Sequence, residues 1–514
     1  MIIIRDIKLP KDDKSLLEKK LKKLTRLENL DYEIYRKSID ARKGINFVYQ
    51  VIIKNDISPK GIKNADNYEQ EDFNVAVNVK NTNNIIVGSG PAGLFCGYIL
   101  SKYGQKVKII ERGESIDDRI ATIENFLQTG ELNLNSNVQF GEGGAGTFSD
   151  GKLTARSKDK RVREVLKILY ENGASEDILY DAKPHIGTDV LREVIKNIRN
   201  KIIENGGEIL FNTTFLDFES DGSKVKKFLT DKDEFDGDNF ILGLGNSSRD
   251  SFLTLSKKIE MENKPFAVGF RIEHIQRDID RNQYKVEDNL IDKLPRSSYN
   301  LTYNNKNLGL GAYTFCMCPG GYVVNGSSES EKLCVNGMSF HKRDGKNANS
   351  ALIVTVNEKI YGKKLLDGMK FQQNLESKAF ILGGKNYSVP IQKFSDFLEN
   401  RETTHFGTIF PSTRKYKMSN LRGIYPKIVE DMIIEAIFSM DKKLKGFASK
   451  DSILSGVETR SSSPIRMKRD ENLNSLGYEN LYVIGEGSGY SGGIVSSAID
   501  GIKAAENILR GKKC

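Results

Sequence analysis

Six consecutive residues carry the clearest chemistry in this chain: Gly88-Ser89-Gly90-Pro91-Ala92-Gly93, directly after the apolar run Asn84-Ile85-Ile86-Val87. Gly88 permits a tight turn, and Gly90 leaves room for a backbone to approach a diphosphate. Gly93 and Gly97 let a helix pack close to a strand. A helix over 92–102 would aim its unpaired N–H groups and positive dipole end at negative charge. A second strand, 106–110, leads into Glu111 and Arg112. Glu111 lies 23 residues after Gly88, near the roughly 20 expected of a carboxylate that accepts from ribose hydroxyls. Such a carboxylate disfavours a 2′-phosphate. The unit of strand, glycine turn, helix, strand and acid predicts a dinucleotide site.

A second loop decides which dinucleotide. Leu481-Tyr482-Val483-Ile484 reads as a strand, followed by Gly485-Glu486-Gly487-Ser488-Gly489-Tyr490-Ser491-Gly492-Gly493 and a helix from Ile494 to Leu509. A long dinucleotide with a flavin needs such a second anchor. Glu486 could hold ribityl hydroxyls, and the N–H groups of Gly493 and Ile494 could stabilise charge at N1/O2 of a reduced flavin. FAD is therefore the expected cofactor, with NAD(P)H at most a transient reductant, because no second G-x-G-x-x-G follows a strand. Gly146-x₄-Gly151-Lys152 resembles a phosphate loop, but Leu153 stands where Ser or Thr would bind Mg²⁺. Gly146, Thr147 and Lys152 are read instead as neighbours of the cofactor, as is Gly245 after the strand 239–244.

Candidate catalytic residues are fewer. Cys316-x-Cys318 in a Gly/Pro-rich turn could be a redox pair, because a disulfide across one residue is strained and easily reduced. A zinc site with Cys334 and His341 is an alternative, as is a purely structural turn, and the expectation is no metal. Arg460 and Arg466, flanking Ser461-Ser462-Ser463-Pro464, are read as a grip on an anionic substrate in preference to a brace for a loop. His185 is either a base or a packing residue before a helix capped by Thr188. Gly489-Tyr490-Ser491-Gly492-Gly493 matches the hydrolase nucleophile elbow, but the last histidine is His405, so the required order fails.

These residues need elements to hold them. Residues 1–80 read as a small α/β unit: a strand at Ile2-Ile3-Ile4, a helix capped by Ser15 with Leu16, Leu17, Leu21, Leu24 and Leu27 as its stripe, paired strands at 32–35 and 45–51 joined at Arg42-Lys43-Gly44, and a connection over 55–70. Helices are expected over 158–170, 188–205 and 427–442, and strands over 208–216 and 239–244. The basic run 158–163 is read as a solvated helix face. The parallel α/β style of 81–250 returns over 451–514, so 251–450 is read as an inserted substrate domain.

The chain has 514 residues, with 38% hydrophobic and 29% charged. That is an ordinary globular composition, too long for one core. No apolar stretch suits a membrane span or a signal peptide. Five cysteines suit a reducing compartment, and the expectation is a cytoplasmic protein. A net charge of +9 fits an anionic ligand and does not by itself imply nucleic acid.

The motifs together resemble a family of uncharacterised bacterial FAD-dependent dehydrogenases over nearly the whole chain. The stretches that carry the resemblance are Asp40-Ala41-Arg42, Gly88–Gly93, Gly141-Glu142-Gly143-Gly144-Ala145-Gly146-Thr147-Phe148-Ser149-Asp150-Gly151-Lys152-Leu153, His185-Ile186-Gly187-Thr188-Asp189, Phe315-Cys316-Met317-Cys318-Pro319-Gly320-Gly321, Glu458-Thr459-Arg460-Ser461-Ser462-Ser463-Pro464 and Gly485–Gly493. It implies a fold of class α/β: an FAD-binding Rossmann-like domain of the glutathione-reductase-2 type, split in sequence, with an inserted α+β domain and a small ferredoxin-like N-terminal unit. Where family members tend to carry His, this chain has Asn246. The expected function is an FAD-dependent oxidoreductase passing two electrons through flavin N5 to or from a small, anionic substrate. An RNA-modifying flavoenzyme and a non-enzymatic flavin-binding sensor are the alternatives. No nucleic-acid or membrane partner is expected.

Overall fold

The computed structural model describes residues 1–42, 44–70, 73–79, 81–154 and 157–511. Lys43 of the expected turn and Cys514 lie outside the described residues.

Four antiparallel strands form the N-terminal sheet, in the order Tyr32–Asp40, Asn46–Ile53, Ile2–Leu9, Ala65–Asn67. The helix Lys14–Thr25 packs on it through Leu17 and Leu21, both fully buried against Ile2, Ile4, Val51 and Ile53. Its cap is Asp13, not Ser15: the Asp13 carboxylate accepts from the N–H groups of Ser15 and Leu16. Leu16, expected on the apolar stripe, is exposed. The expected connection also hides the edge strand Ala65–Asn67, which pairs through its backbone and shows no apolar alternation.

The second sheet is parallel. Its order is Leu481–Val483, Asn239–Leu242, Asn83–Val87, Lys106–Ile110, Glu208–Leu210. Ile85, Ile86 and Val87 are buried, as expected of a strand covered on both faces. The strand from the chain's last forty residues thus completes a sheet begun near residue 83. Two helices, Pro91–Lys102 and Ile494–Arg510, lie side by side on it. A Cβ built on Gly501 would stand 2.1 Å from the Ala92 carbonyl oxygen, so only glycine allows this approach. The expected strand over 208–216 ends at Leu210. Asn212 is left-handed (φ 53°), and the chain turns into a separate antiparallel ribbon of Phe215–Asp221, Lys224–Thr230 and Glu234–Asp236.

The third layer is a seven-stranded sheet in the order Thr302–Asn305, Leu310–Cys318, Asn347–Val356, Phe266–Ile275, Ile453–Glu458, Val389–Lys393, Tyr416–Met418. The helices Asp367–Leu382 and Lys427–Asp441 contribute to its large core. The strand Ile453–Glu458, assigned from sequence to the second nucleotide segment, is hydrogen-bonded inside this sheet. Among the described residues no helix is long and apolar enough to cross a membrane.

Gly501→Ala should lower stability by about 1–3 kcal/mol, the usual cost of forcing an atom into a packed contact. The expected reading is a lower urea midpoint at unchanged slope.

Candidate functional site

The two glycine loops meet. Gly88 is left-handed (φ 94°) and a Cβ there would stand 2.6 Å from the Gly243 carbonyl oxygen. Gly485 is also left-handed (φ 80°), and its Cβ would fall 2.9 Å from that of Ala92. A third loop joins them: a Cβ on Gly144 would lie 3.2 Å from Gly90 Cα, and one on Gly146 would lie 3.1 Å from Ile494. The helices beginning at Pro91 and Ile494 have glycine caps, Gly90 and Gly493, and neither start receives a side-chain hydrogen bond. Both starts border one cavity of about 1280 Å³ that runs from the parallel sheet to the seven-stranded sheet.

Most of the expected cofactor residues border this cavity: Gly88, Gly90, Pro91 and Ala92 from the first loop, and Gly485, Glu486, Gly492, Gly493 and Ile494 from the last. Glu111, Arg112, Gly146, Lys152 and Gly245 border it too. Three do not. Ser89 is fully buried, and its N–H and hydroxyl both donate to Glu111 Oε2 at 2.8 Å. Gly93 packs beneath Gly88. Thr147 is buried, its hydroxyl donating to the Glu142 carbonyl and its own carbonyl accepting from Thr188 Oγ1 at 2.6 Å. Thr188 is therefore spent on that carbonyl, and the cap of its helix is Gly187.

Glu111 also departs from expectation. Its Oε1 accepts from the N–H groups of Gly113 and Gly141 at 3.0 Å each, beside the two bonds from Ser89. A carboxylate has about four acceptor sites, and four protein donors use them. Glu111 therefore clamps the first glycine loop to the loop around Gly141, and its lone pairs are committed to protein before any ribose arrives. The same loop is organised by Arg119, fully buried, which donates to the carbonyls of Asn137, Val138, Glu142 and Gly144. Burial pulls this guanidinium down to about 9. Arg112 pairs with Asp250 at 2.6 Å and lies over the Phe140 ring.

The last loop has its own internal anchor. Asp500 accepts from the Gly485 N–H at 2.8 Å and forms a two-pronged pair with Arg469 at 2.8 Å. Both residues were missed from sequence, since a helix acid and a loop base 31 positions apart show no local pattern. Glu486 accepts from Asn246 Nδ2 at 3.0 Å, and burial pushes its carboxyl up to about 7. The amide at Asn246 also donates to the Arg460 carbonyl at 2.9 Å.

Arg460 borders the cavity, but its guanidinium is committed to protein groups. Its guanidinium is buried and bonds Glu376 at 2.8 and 3.1 Å, Glu329 at 3.2 Å and Ser247 at 3.1 Å, besides Ser328. Arg249 approaches the same Glu376 at 2.8 Å through both prongs. Two guanidiniums thus share two carboxylates. Although burial opposes ionisation of Glu376, its two arginines overcome that and hold it well below the usual carboxylate range. Arg466 pairs with Glu262 at 3.0 Å and lies over Tyr490, outside the cavity lining. Arg460 and Arg466 thus both pair with carboxylates, the contacts expected of a brace.

At the far end, Cys316 borders the cavity and Cys318 is buried behind it. Arg271, fully buried, donates to the Cys316 carbonyl at 2.5 Å, to Glu458 at 3.0 Å and toward Cys318 Sγ at 3.5 Å. Burial pushes Glu458 up to about 7. The zinc alternative loses its partners: His341 Nδ1 is 2.8 Å from the Ile186 carbonyl oxygen, and Cys334 Sγ donates to the Gly326 carbonyl at 3.1 Å. Among the described residues no three His, Cys, Asp or Glu side chains gather to hold a metal. His185 is stacked on His341 with Nε2 3.1 Å from its carbonyl oxygen, and burial pulls it down to about 4. It is a packing residue outside the cavity lining.

The same end gathers cations around Lys152, of which Lys183 and Arg343 were passed over in the sequence. Lys183 borders the cavity, with Nζ 3.1 Å from Ser298 Oγ. Burial, then Lys152 and Arg343 nearby, pull its ammonium below the ordinary value. Lys152 Nζ donates to the Met317 carbonyl, and Arg343 pairs with Asp150 at 2.5 Å. The residues were visible, but their separation in sequence concealed the cluster.

Residues 265–461 match the family described as FAD-dependent protein, C-terminal domain-like, and residues 86–140 match an NAD(P)-binding Rossmann-like domain. An uncharacterised protein of Clostridium beijerinckii is 43% identical, with 97% of this chain and 96% of that protein covered. This chain belongs to that FAD-dependent protein family. Its cofactor is FAD, and its parallel sheet is the family's Rossmann-like element. Among solved structures, glycine oxidase from Geobacillus kaustophilus is 10% identical with a TM-score of 0.38, covering 85% of this chain and 96% of that one. CtdE in complex with FAD is 11% identical with a TM-score of 0.34, covering 84% of each chain. The flavin-dependent brominase Bmp2 is 13% identical with a TM-score of 0.36, covering 84% of this chain and 80% of that one. Likeness at that level assigns neither substrate nor reaction.

Glu376→Gln should cost about 3–5 kcal/mol at neutral pH, because it leaves two buried guanidiniums short of a charge. A carboxylate with a depressed folded pKa stabilises above its unfolded value of about 4.3 and loses that contribution as pH falls. The gap between variant and parent, measured by denaturant unfolding, should therefore shrink below about pH 4.

Proposed function

We propose that this FAD-dependent protein is an oxidoreductase that passes two electrons between its flavin and a small anionic substrate bound near Lys152 and Lys183. The observation that carries the reading is the shape and charge of one cavity. Two glycine-capped helix starts, neither with a side-chain cap bond, border one part of it and a cationic cluster the other.

The residues fit the cofactor. In this reading the FAD diphosphate lies against Gly88, Gly90 and the helix start at Pro91, where N–H groups point and no Cβ intrudes. Glu486 faces the ribityl hydroxyls, and the helix start at Gly493 and Ile494 lies near the flavin edge that gains negative charge on reduction. When bound, the flavin supplies two-electron chemistry through N5, and the chain supplies position and electrostatics. Glu111 and Arg119 hold the surrounding loops before binding, which lowers the ordering cost. Of the cavity cations, Arg343 is largely neutralised by Asp150. Lys152 and Lys183 bond only to uncharged oxygens among the interactions described, which leaves their charge for a substrate carboxylate. NAD(P)H would have to act as a transient reductant at the same flavin.

The purified protein should be yellow and should be bleached anaerobically by some small carboxylates of a panel of amino and 2-hydroxy acids, and not by the corresponding amides. Lys183→Ala should raise KM for the active acid about tenfold, roughly 1.4 kcal/mol of binding, with a smaller change in kcat. A colourless polypeptide that refuses added FAD, or equal bleaching by acids and amides, would overturn the proposal. NADH and NADPH in the same titration decide whether a nicotinamide feeds the flavin.

A further inference from the structure

We propose that Cys316 and Cys318 form a redox-active dithiol that exchanges two electrons with the FAD. This rests on the oxidoreductase reading above and names one of its electron partners.

The placement argues for it. Both cysteines end the strand Leu310–Cys318, whose pairing with Asn347–Val356 slips register between Phe315 and Cys318. Cys316 sits in the left-handed region (φ 43°), where a non-glycine residue is held only if its surroundings demand it. The slip puts Cys316 on the cavity wall, while Cys318 folds back so that its thiol donates to the Cys316 carbonyl at 3.3 Å. Each residue of the turn has a cationic neighbour: Arg271 at the Cys316 carbonyl and the Cys318 sulfur, Lys152 at the Met317 carbonyl. Arg271, fully buried, and Lys152, half-buried, thus converge on the turn, and Arg271 reaches the Cys318 sulfur itself.

The acidities support the same division. The bond from Cys318, then Lys152 and Arg271, draw Cys316 down to about 6 against its burial, and the partner thiol is pushed up. Cys334 is raised by burial to about 12, and Cys96 is raised further. Among the described cysteines, Cys316 alone is drawn toward the thiolate, which is the reactive form, while Cys96, Cys318 and Cys334 are pushed away from it.

The step balances. The Cys316 thiolate and the Cys318 thiol form one S–S bond, losing two electrons and the Cys318 proton, and both electrons and that proton pass to oxidised flavin. Two molecules of an external thiol entering beside Lys152 return the disulfide to thiolate and thiol, leaving as their own disulfide with release of one proton.

The test counts electrons and hydrogens on the holoprotein. Oxidised in air, then titrated anaerobically with dithionite, it should take up two electron pairs per flavin before complete bleaching. Cys316→Ser and Cys318→Ser, each checked for retained FAD, should take up one. Mass spectrometry of the peptide carrying both residues should show loss of two hydrogens on oxidation. Iodoacetamide at neutral pH should label Cys316 before Cys96 or Cys334. Uptake of a single pair by the parent, or two reduced cysteines persisting anaerobically beside oxidised flavin, overturns the dithiol and leaves the FAD reading intact. Failure to bind FAD at all overturns the earlier proposal instead.

Discussion

The close approach of two helices, Pro91–Lys102 and Ile494–Arg510, holds the rest of the site in place. Gly501 lies against the Ala92 carbonyl and Gly485 against the Ala92 side chain, so one small residue is gripped by two glycines more than 390 positions along the chain. The contact brings both helix starts to a common cavity, with their unpaired N–H groups and dipoles aimed at the same space. Any side chain larger than Ala at position 92 would part them. The diphosphate anchor and the flavin anchor thereby become one site.

The strand Leu481–Val483 follows from the same constraint. It pairs beside Asn239–Leu242 while its following helix packs on the first. The long segment between them is free to fold as its own layer, and the seven-stranded sheet does so around a separate core. The cavity lies where the two layers face each other, and its lining draws on both.

Buried charge is used in two ways. Arg119, Glu111 and Asp500 are consumed by backbone groups and neighbouring charges, and they hold glycine-rich loops that have few side chains of their own to pack. Arg249, Arg460, Glu329 and Glu376 balance one another across the seam between nucleotide domain and inserted sheet. Neither group has charge to spare for a ligand. Lys152 and Lys183 face the cavity without a carboxylate partner among the described contacts, and Lys152, with the Glu458-paired Arg271, lies at the cysteine turn.

Sequence alone was enough for the dinucleotide fold, the two glycine loops and the cofactor. Those features are local: a tight turn, a diphosphate approach and a helix start each demand a particular residue type within a few positions. It also sufficed for the helices Pro91–Lys102, Arg161–Glu171, Thr188–Glu204, Lys427–Asp441 and Ile494–Arg510, but not for Ile116–Thr129 or Asp367–Leu382. The use of each polar side chain was decided only in three dimensions. Arg460 looks the same in sequence whether it meets Glu376 or a substrate. Ser89 and Thr147 sit in cofactor motifs yet turn inward, and Glu111 spends its oxygens on protein. Lys183 joins Lys152 only when the chain folds. Hydrogen bonds and ion pairs act over a few ångströms and depend on direction, so their partners are chosen by what the fold brings near, and separation along the chain carries no record of that choice.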